Sequence, residues 1–217
     1  MNTRPNIVVD RHELGPIGTN CYVVRASQGA PAAVVIDPGD DVTQLRLELA
    51  RAGASCAAIL VTHTHYDHIG GIADLAGASG APVWVSDVEA VVLERPDDVY
   101  AAYGVHIKPW KPDHRLQGDE TFSVGGIEWQ TIPVPGHSPG HLAFAADGAL
   151  FSGDVLFAGS VGRVDLPGGD WETLLASIGM LVERFDADTT VYPGHMGITT
   201  LGSERATNPF LQELAGH

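Results

Sequence analysis

Residues 57–71 of the chain read AAILVTHTHYDHIGG, a short apolar run followed at once by a cluster of titratable side chains. The apolar run, residues 57–61, has the length of a buried strand. The positions that follow carry three histidines and one aspartate: His63, His65, Asp67 and His68. Packing so many titratable groups together without a cation would cost desolvation and charge repulsion. The stretch therefore predicts a metal site at the end of a strand.

The spacing within this cluster suggests two ions. Side chains two residues apart point to the same side of an extended chain, so His63 and His65 can bind one ion. Asp67 and His68 come one turn later and can face a neighbouring ion. Imidazole and carboxylate ligands suit zinc and also iron or manganese, so the ligand types alone leave the metal open.

Three later segments also end in a histidine or an aspartate after a strand-like run. His137 follows TIPVPG, Asp154 follows ALFSG, and His195 follows TTVYPG. Loops at the carboxyl ends of strands are where open α/β folds usually place their sites. We therefore expect these three side chains to lie beside the HTHYDH cluster.

Strand-like and helical segments alternate along the chain, which predicts an α/β fold. The candidate strands are residues 7–9, 21–25, 33–36, 57–61, 83–86, 127–134, 142–145, 149–152 and 189–192. Helical spacing predicts helices over residues 42–52 and 171–185, the second with Asp170 as its N-cap. Residues 95–120, which three prolines interrupt, are predicted to form a long excursion or lid. The pattern favours mixed sheets with helices outside.

Composition limits the class of protein. With 217 residues, 44% of them hydrophobic, residues 1–217 are expected to form a single domain. A net charge of −15 with twelve scattered basic residues argues against nucleic acid as a partner. The sequence shows neither a membrane span nor the apolar core of a signal peptide.

Cysteine usage points to a reducing compartment. The chain has only Cys21 and Cys56, each in an apolar strand-like segment, so we expect free thiols rather than a disulfide framework. Together with the absence of a targeting signal, this predicts a cytoplasmic protein.

The motifs, in this order and spacing, resemble the metallo-β-lactamase superfamily: HTHYDH, PGHSPGH, FSGD and YPGH. The stretches LFAGSVGRVDLPGGD and TTLGSERATNPFLQ further resemble the short, single-domain glyoxalase II-like hydrolases. The resemblance implies a four-layer αββα sandwich of two mixed β-sheets with outer helices. It also implies two divalent metal ions at the edge of the sandwich, with zinc favoured over iron or manganese.

The resemblance implies a role for each side chain of the cluster. The first ion would be bound by His63, His65 and His137, the second by Asp67, His68 and His195, and Asp154 would bridge the two. Asp67 would also orient the attacking water. Asp37 and His141 are expected to support the ligands. The glycines of GGI and PGG are expected to serve turns and close approaches rather than a phosphate loop.

Two residues are predicted to contact substrate. Arg163, in GSVGR, matches the loop where glyoxalase II enzymes carry a basic residue that contacts glutathione, although a salt bridge with Asp165 is the alternative. Tyr66 directly follows His65 and would either line the pocket or pack in the core. Met196 directly follows His195 where related families have glycine, which would reshape the mouth.

The function implied is hydrolysis of a small acyl thioester. Two divalent ions can lower the pKa of a bound water to ~7 and stabilise the oxyanion, and a thiol with pKa ~8.5 leaves without a strong acid. The chain is expected to lack the C-terminal helical domain with which full-length glyoxalase II binds glutathione. Lactones are a less favoured substrate. β-Lactams are ranked low, because the familiar HxHxD enzymes have cysteine at the position of Asp154.

The main alternative is a persulfide dioxygenase, which the HxHxDH run, the GRxD loop and the ERxxNP-like segment also resemble. Such an enzyme would hold a single iron through His63 or His65, His137 and Asp154. A non-catalytic module that keeps metals for stability is the third hypothesis. Structural zinc sites are usually closed and cysteine-rich, which makes this hypothesis the weakest of the three.

Overall fold

The first half of the chain builds a six-stranded mixed sheet. The computed structural model describes residues 6–215; residues 1–5 and 216–217 of the predicted domain lie outside that range. The elements are β1 (Val8–Leu14), β2 (Thr19–Arg25), β3 (Ala32–Ile36), α1 (Thr43–Arg51), β4 (Ser55–Leu60), α2 (Tyr66–Ile69), α3 (Ile72–Ser79), β5 (Val83–Ser86), α4 (Asp87–Glu94), α5 (Asp97–Tyr100), a 3₁₀ turn (Ala101–Tyr103) and β6 (His114–Leu116). The strand order is β1-β2-β3-β4-β5-β6. Strands β3 to β6 run parallel, so their carboxyl ends share one edge.

The second half builds another six-stranded sheet and a small hairpin. Its elements are β7 (Thr121–Val124), β8 (Ile127–Pro133), β9 (Leu142–Ala146), β10 (Ala149–Gly153), β11 (Leu156–Phe157), β12 (Ser160–Val161), α6 (Trp171–Arg184), β13 (Thr190–Pro193), β14 (Thr199–Thr200), α7 (Leu201–Thr207) and α8 (Pro209–Ala215). The strand order is β14-β13-β10-β9-β8-β7, and β11 pairs with β12. Strands β10 and β13 are parallel, so this sheet is also mixed.

Alternation along the strands separates the apolar side chains into layers. On β2, Cys21 and Val23 pack with the helices outside the first sheet, while Tyr22 and Val24 pack between the two sheets. The layer between the sheets includes Trp129, Phe144 and Phe151 from the second sheet. Outside that sheet, α6 contributes Leu174, Ile178 and Leu181 to a third cluster. The four-layer αββα sandwich predicted from the sequence is confirmed.

The structure refines several predicted elements. Asp170 caps α6 as expected, since its side chain accepts from the Thr173 N–H at 2.8 Å. The short strands β6, β7, β11, β12 and β14 were not predicted. Residues 95–120 pack onto the first sheet, where Tyr100 and Ile107 are buried in its helix-side cluster. Within residues 6–215, no helix has the length and hydropathy to cross a membrane.

Substitution of Leu60 tests the packing between the two sheets. Its side chain is fully buried there, so Leu60→Ala should lower the free energy of unfolding by ~2–5 kcal/mol through lost burial and a cavity. Leu47→Ala is the matched control, because Leu47 is 45% exposed and its truncation should change stability by ~0.5 kcal/mol or less. Chemical denaturation measures both. Equal losses would contradict the assignment of Leu60 to the core.

Candidate metal centre

Loops from both sheets bring the seven predicted ligands together. His63, His65, Asp67 and His68 follow β4 and enter α2, so they come from the first sheet. The other three come from the second sheet: His137 from the β8–β9 loop, Asp154 after β10 and His195 after β13. Each predicted ion position therefore draws on both halves of the chain.

The first group consists of three histidines whose ring nitrogens face one another. Nε2 of His63 lies 3.1 Å from Nδ1 of His65 and 3.2 Å from Nε2 of His137. These atoms all lie within 4.8 Å of one another. Nitrogen lone pairs at such distances need either a proton between them or a shared cation.

The second group contains Asp67, His68 and His195, whose ligand atoms also lie within 4.8 Å of one another. Oδ2 of Asp67 is 3.3 Å from Nε2 of His68 and 3.3 Å from Nε2 of His195. A carboxylate facing two imidazoles offers a cation one negative charge and two neutral donors.

Asp154 lies between the two groups. Its Oδ1 is 3.4 Å from Nε2 of His68, and its Oδ2 is 3.4 Å from Nε2 of His195 and 3.5 Å from Nε2 of His137. One carboxylate thus faces histidines of both groups. This position matches the bridging role that the sequence predicts for Asp154.

The donor atoms fit metal ions. Nε2 of His68 and Oδ1 of Asp154 are buried without a hydrogen-bond partner, and such atoms are costly unless something binds them. Five imidazoles and two carboxylates suit zinc, iron or manganese. The His and Asp groups are thus suited to a dinuclear metal centre, and the donor set does not choose the metal.

Hydrogen bonds behind the ligands orient three of the imidazoles. Nδ1 of His137 donates to the Arg163 carbonyl at 2.7 Å, and a carbonyl can only accept, so Nε2 is free for a cation. Nδ1 of His68 lies 3.0 Å from Oδ2 of Asp37. The same carboxylate oxygen accepts from the Thr62 hydroxyl at 2.6 Å. The supporting position predicted for Asp37 is present in the structure.

Thr62 and His141 complete this support. The Thr62 hydroxyl lies 3.0 Å from Nδ1 of His63 and, because it donates to Asp37, it accepts from the ring. Nε2 of His141 accepts from the backbone N–H of Asp154 at 3.1 Å. The His141 ring also stacks on His63, with centroids 4.7 Å apart. His141 therefore orients both a first-group ligand and the central carboxylate.

The histidines of the first group are held neutral. Burial, followed by the nearby His137 and His68, lowers the pKa of His65 to about 4. Burial also lowers the pKa of His63 and His137. At neutral pH these rings therefore present lone pairs to a cation without first losing a proton.

The second group has the opposite electrostatics. Burial opposes the charged form of His195, but its hydrogen bonds to Asp154 and Asp67 outweigh burial and raise its pKa to about 9. Burial would raise the pKa of Asp67, yet the close His195 and His68 imidazoles hold it well below its usual range. Without a cation, a proton on the imidazoles balances the carboxylates.

The start of β2 supports the second group, which the sequence reasoning did not identify. Thr19 donates to Oδ2 of Asp67 at 2.7 Å. Asn20 Nδ2 donates to the carbonyls of Pro193 and Met196 at 2.8 and 3.0 Å, which holds the loop that carries His195. The sequence feature that could have identified them is that two polar residues, Thr19 and Asn20, precede the apolar run CYVV.

The His195 loop approaches the centre closely. A Cβ on Gly194 would lie 2.1 Å from Oδ1 of Asp154, so only glycine fits there. Met196 has φ of 66°, in the left-handed region, which explains why glycine suits this position in related families. Its side chain is 53% exposed beside the centre.

The two residues predicted to contact substrate, Arg163 and Tyr66, are both exposed. Arg163 makes two 2.6 Å hydrogen bonds to Asp165, and both side chains are largely exposed, so the salt bridge exists while the guanidinium remains accessible. Tyr66 is 39% exposed and lines a small cleft with Ile17 and Asp67. Both residues are therefore placed where a substrate could reach them.

Comparisons with known proteins agree with this geometry. A sequence model described as the metallo-beta-lactamase superfamily matches residues 14–195. The hydroxyacylglutathione hydrolase GloC of Haemophilus influenzae is 33% identical over 184 residues, covering 82% of this chain and 87% of that protein.

Two solved structures are similar over most of the chain. The structure of the B3 metallo-beta-lactamase BLEG-1 has a TM-score of 0.88 and 38% identity, covering 94% of this chain and 99% of that one. The structure of TTHA1623 in a di-iron-bound form has a TM-score of 0.81 and 40% identity, covering 94% of this chain and 100% of that one.

The contrast between the two groups predicts different proton release on metal binding. At pH 7, an ion bound by Asp67, His68 and His195 must displace a proton, because the pKa of His195 is raised to about 9. An ion at the first group displaces no proton from the histidines that bind it, because the pKa of His65 is about 4. Binding at the second group should therefore strengthen as pH rises from 6 to 9, while binding at the first should not. Calorimetry in buffers of different ionisation enthalpy measures the released protons; equal release at both positions would contradict the prediction.

Proposed function

The chain belongs to the metallo-beta-lactamase superfamily, and from that membership we propose that it is a metal-dependent hydrolase of small acyl thioesters, similar in activity to glyoxalase II. The observation that carries the proposal is Asp154, whose two oxygens face histidines of both groups. The name of the H. influenzae relative, a hydroxyacylglutathione hydrolase, supports a thioester as the substrate class.

The side chains would supply binding and orientation. The first group with Asp154 would hold one ion and the second group with Asp154 the other, with zinc as the expected metal. Two divalent ions in these positions would lower the pKa of a bound water and make hydroxide available at neutral pH. Asp67, which Thr19 fixes through a 2.7 Å hydrogen bond, would accept a hydrogen bond from the attacking water and orient it.

A thiol leaving group suits this centre. Its pKa of ~8.5 lets it leave as a thiolate, whereas an amine would need a proton. The histidines and aspartates near the centre already contact one another at 3.1–3.5 Å, so none of them is set apart as a proton donor. A thioester therefore needs less proton donation from these side chains than an amide does.

The mouth of the centre has two different sides. Ile17, Tyr66 and Met196 are exposed next to the second group and would pack against an apolar part of the substrate. Arg163 lies next to the first group, since its carbonyl accepts from His137. Its guanidinium would bind a carboxylate of the thiol portion, as in a glutathione thioester.

Metal content and substrate turnover test the proposal together. Protein purified without added metal should contain two zinc-like ions per chain by elemental analysis and should hydrolyse members of a thioester panel. A lactone and a β-lactam are tested beside the thioesters, and the β-lactam is included because of the similarity to BLEG-1. One iron per chain, no hydrolysis, and oxygen uptake with glutathione persulfide would overturn the hydrolase in favour of the dioxygenase.

Substitution of Asp67 tests its proposed role in orienting the attacking water. Asp67→Asn keeps the size of the side chain but removes its charge, and should lower kcat/KM for the active thioester by ~10²–10⁴-fold. Asp97→Asn, in an exposed aspartate that pairs with His106, is the control and should leave kcat/KM unchanged. Turnover by Asp67→Asn at the wild-type rate would exclude the assigned role.

Substitutions of Arg163 and Asp165 should change the KM for an anionic thioester in opposite directions. Arg163→Gln should raise KM for a glutathione thioester by ~2–5-fold, because exposed ion pairs contribute ~0.2–1 kcal/mol. Asp165→Asn releases the guanidinium from its 2.6 Å partner and should lower the same KM. An uncharged thioester serves as the control, since its KM should not respond to either change. If steady-state kinetics show that both substitutions change this KM in the same direction, the contact between Arg163 and the substrate is ruled out.

A further inference from the structure

We infer that Glu89 is a positioning residue for one ion only, the ion assigned to His63, His65 and His137. The inference rests on the two-ion centre of the proposed function, although it does not depend on the substrate. Glu89 lies on α4 and its side chain is buried. Glu89 lies outside the HTHYDH, PGHSPGH, FSGD and YPGH motifs.

The carboxylate of Glu89 accepts hydrogen bonds from two loops. Oε2 accepts from the backbone N–H of Thr64 at 3.2 Å and from the Thr64 hydroxyl. Oε1 accepts from the Ser138 hydroxyl at 2.7 Å and from the backbone N–H of Gly140 at 3.0 Å. All four partners donate, so only a group with two acceptor oxygens satisfies them.

These partners are neighbours of the ligands. Thr64 stands between His63 and His65, and Ser138 directly follows His137. Each oxygen of Glu89 thus fixes one of the two loops that must meet at the first ion. A second contact strengthens this support, because the Tyr100 hydroxyl donates to the Thr64 carbonyl at 2.6 Å.

The second ion position is supported by other residues. Thr19 holds Asp67, and Asp37 holds His68. Asn20 holds the loop that carries His195 through the Pro193 carbonyl. Glu89 makes no hydrogen bond to any of these residues. Its loss should therefore weaken binding of the first ion and not of the second.

Another buried carboxylate provides a matched control. Glu204 on α7 is also buried and accepts from the Gly159 N–H at 2.8 Å, the Thr199 hydroxyl at 2.6 Å and Nδ2 of Asn208 at 2.8 Å. None of these partners is a predicted ligand or the immediate neighbour of one. Glu204→Gln therefore reports the general effect of removing a buried, hydrogen-bonded carboxylate.

The test measures Zn²⁺ affinity for each position separately. Full-length protein is stripped with a chelator and titrated with Zn²⁺ alone by calorimetry. His195→Ala isolates the first position, and His65→Ala isolates the second. Glu89→Gln, which turns an amide NH₂ towards two donors, is then added to each background.

Glu89→Gln should weaken Zn²⁺ binding by ~10–100-fold in the His195→Ala background, as expected for residues that orient ligands. In the His65→Ala background the change should stay within about threefold. Glu204→Gln should change neither affinity by more than about threefold. Equal weakening at both positions, or none, would overturn the inference.

Ser138→Ala keeps the test decisive if Glu89→Gln does not fold. It removes one of the two hydrogen bonds that Glu89 accepts on the His137 side and should weaken Zn²⁺ binding several-fold at the first position alone. Loss of that selectivity would overturn the inference. Selective weakening in a protein that binds two Zn²⁺ ions but hydrolyses no thioester would uphold it and reject the proposed function. A wild-type protein that binds no Zn²⁺ would overturn both.

Discussion

The close approach of imidazoles and carboxylates at the edge of the sandwich is the constraint on which the rest depends. Nitrogens of His63, His65 and His137 face one another at 3.1–3.2 Å in a buried setting, and buried atoms of His68 and Asp154 have no hydrogen-bond partner. Such an arrangement is unfavourable for a protein alone and favourable around cations. Much of the surrounding structure holds these groups where they would otherwise repel or desolvate one another.

That support is divided into two parts. Residues of β2, together with Asp37 after β3, hold the second group, whereas α4 and α5 hold the first through Glu89 and Tyr100. Asp154, oriented by His141, belongs to both. The electrostatics divide in the same way, with neutral histidines in one group and a proton balancing the carboxylates in the other.

The sequence predicted the parts of the centre that are local and missed those that depend on distant contacts. The ligands follow strand-like runs in contiguous motifs, so the sequence predicted that they lie close together, and the resemblance of those motifs to the metallo-β-lactamase superfamily implied the αββα layers. The alternation on β2 carries no sign that Thr19 meets Asp67, 48 positions away. Glu89 joins residues 25 and 49 positions away, which no local pattern reveals. For Arg163 the sequence offered a substrate contact or a salt bridge, and the structure contains the salt bridge while leaving the contact as a proposal.

The origin of the ligands from both sheets has a consequence for folding. The chain has two cysteines, Cys21 and Cys56, and both are free, so no disulfide links one sheet to the other. Each ion would be held by side chains from before and after the middle of the chain; for the second ion, His68 and His195 are 195 − 68 = 127 positions apart. A cross-link that closes a loop of this length removes ~4–5 kcal/mol of unfolded-state entropy in the chain-entropy description. The ions would then provide a reversible link between the two halves of a chain whose two cysteines are free.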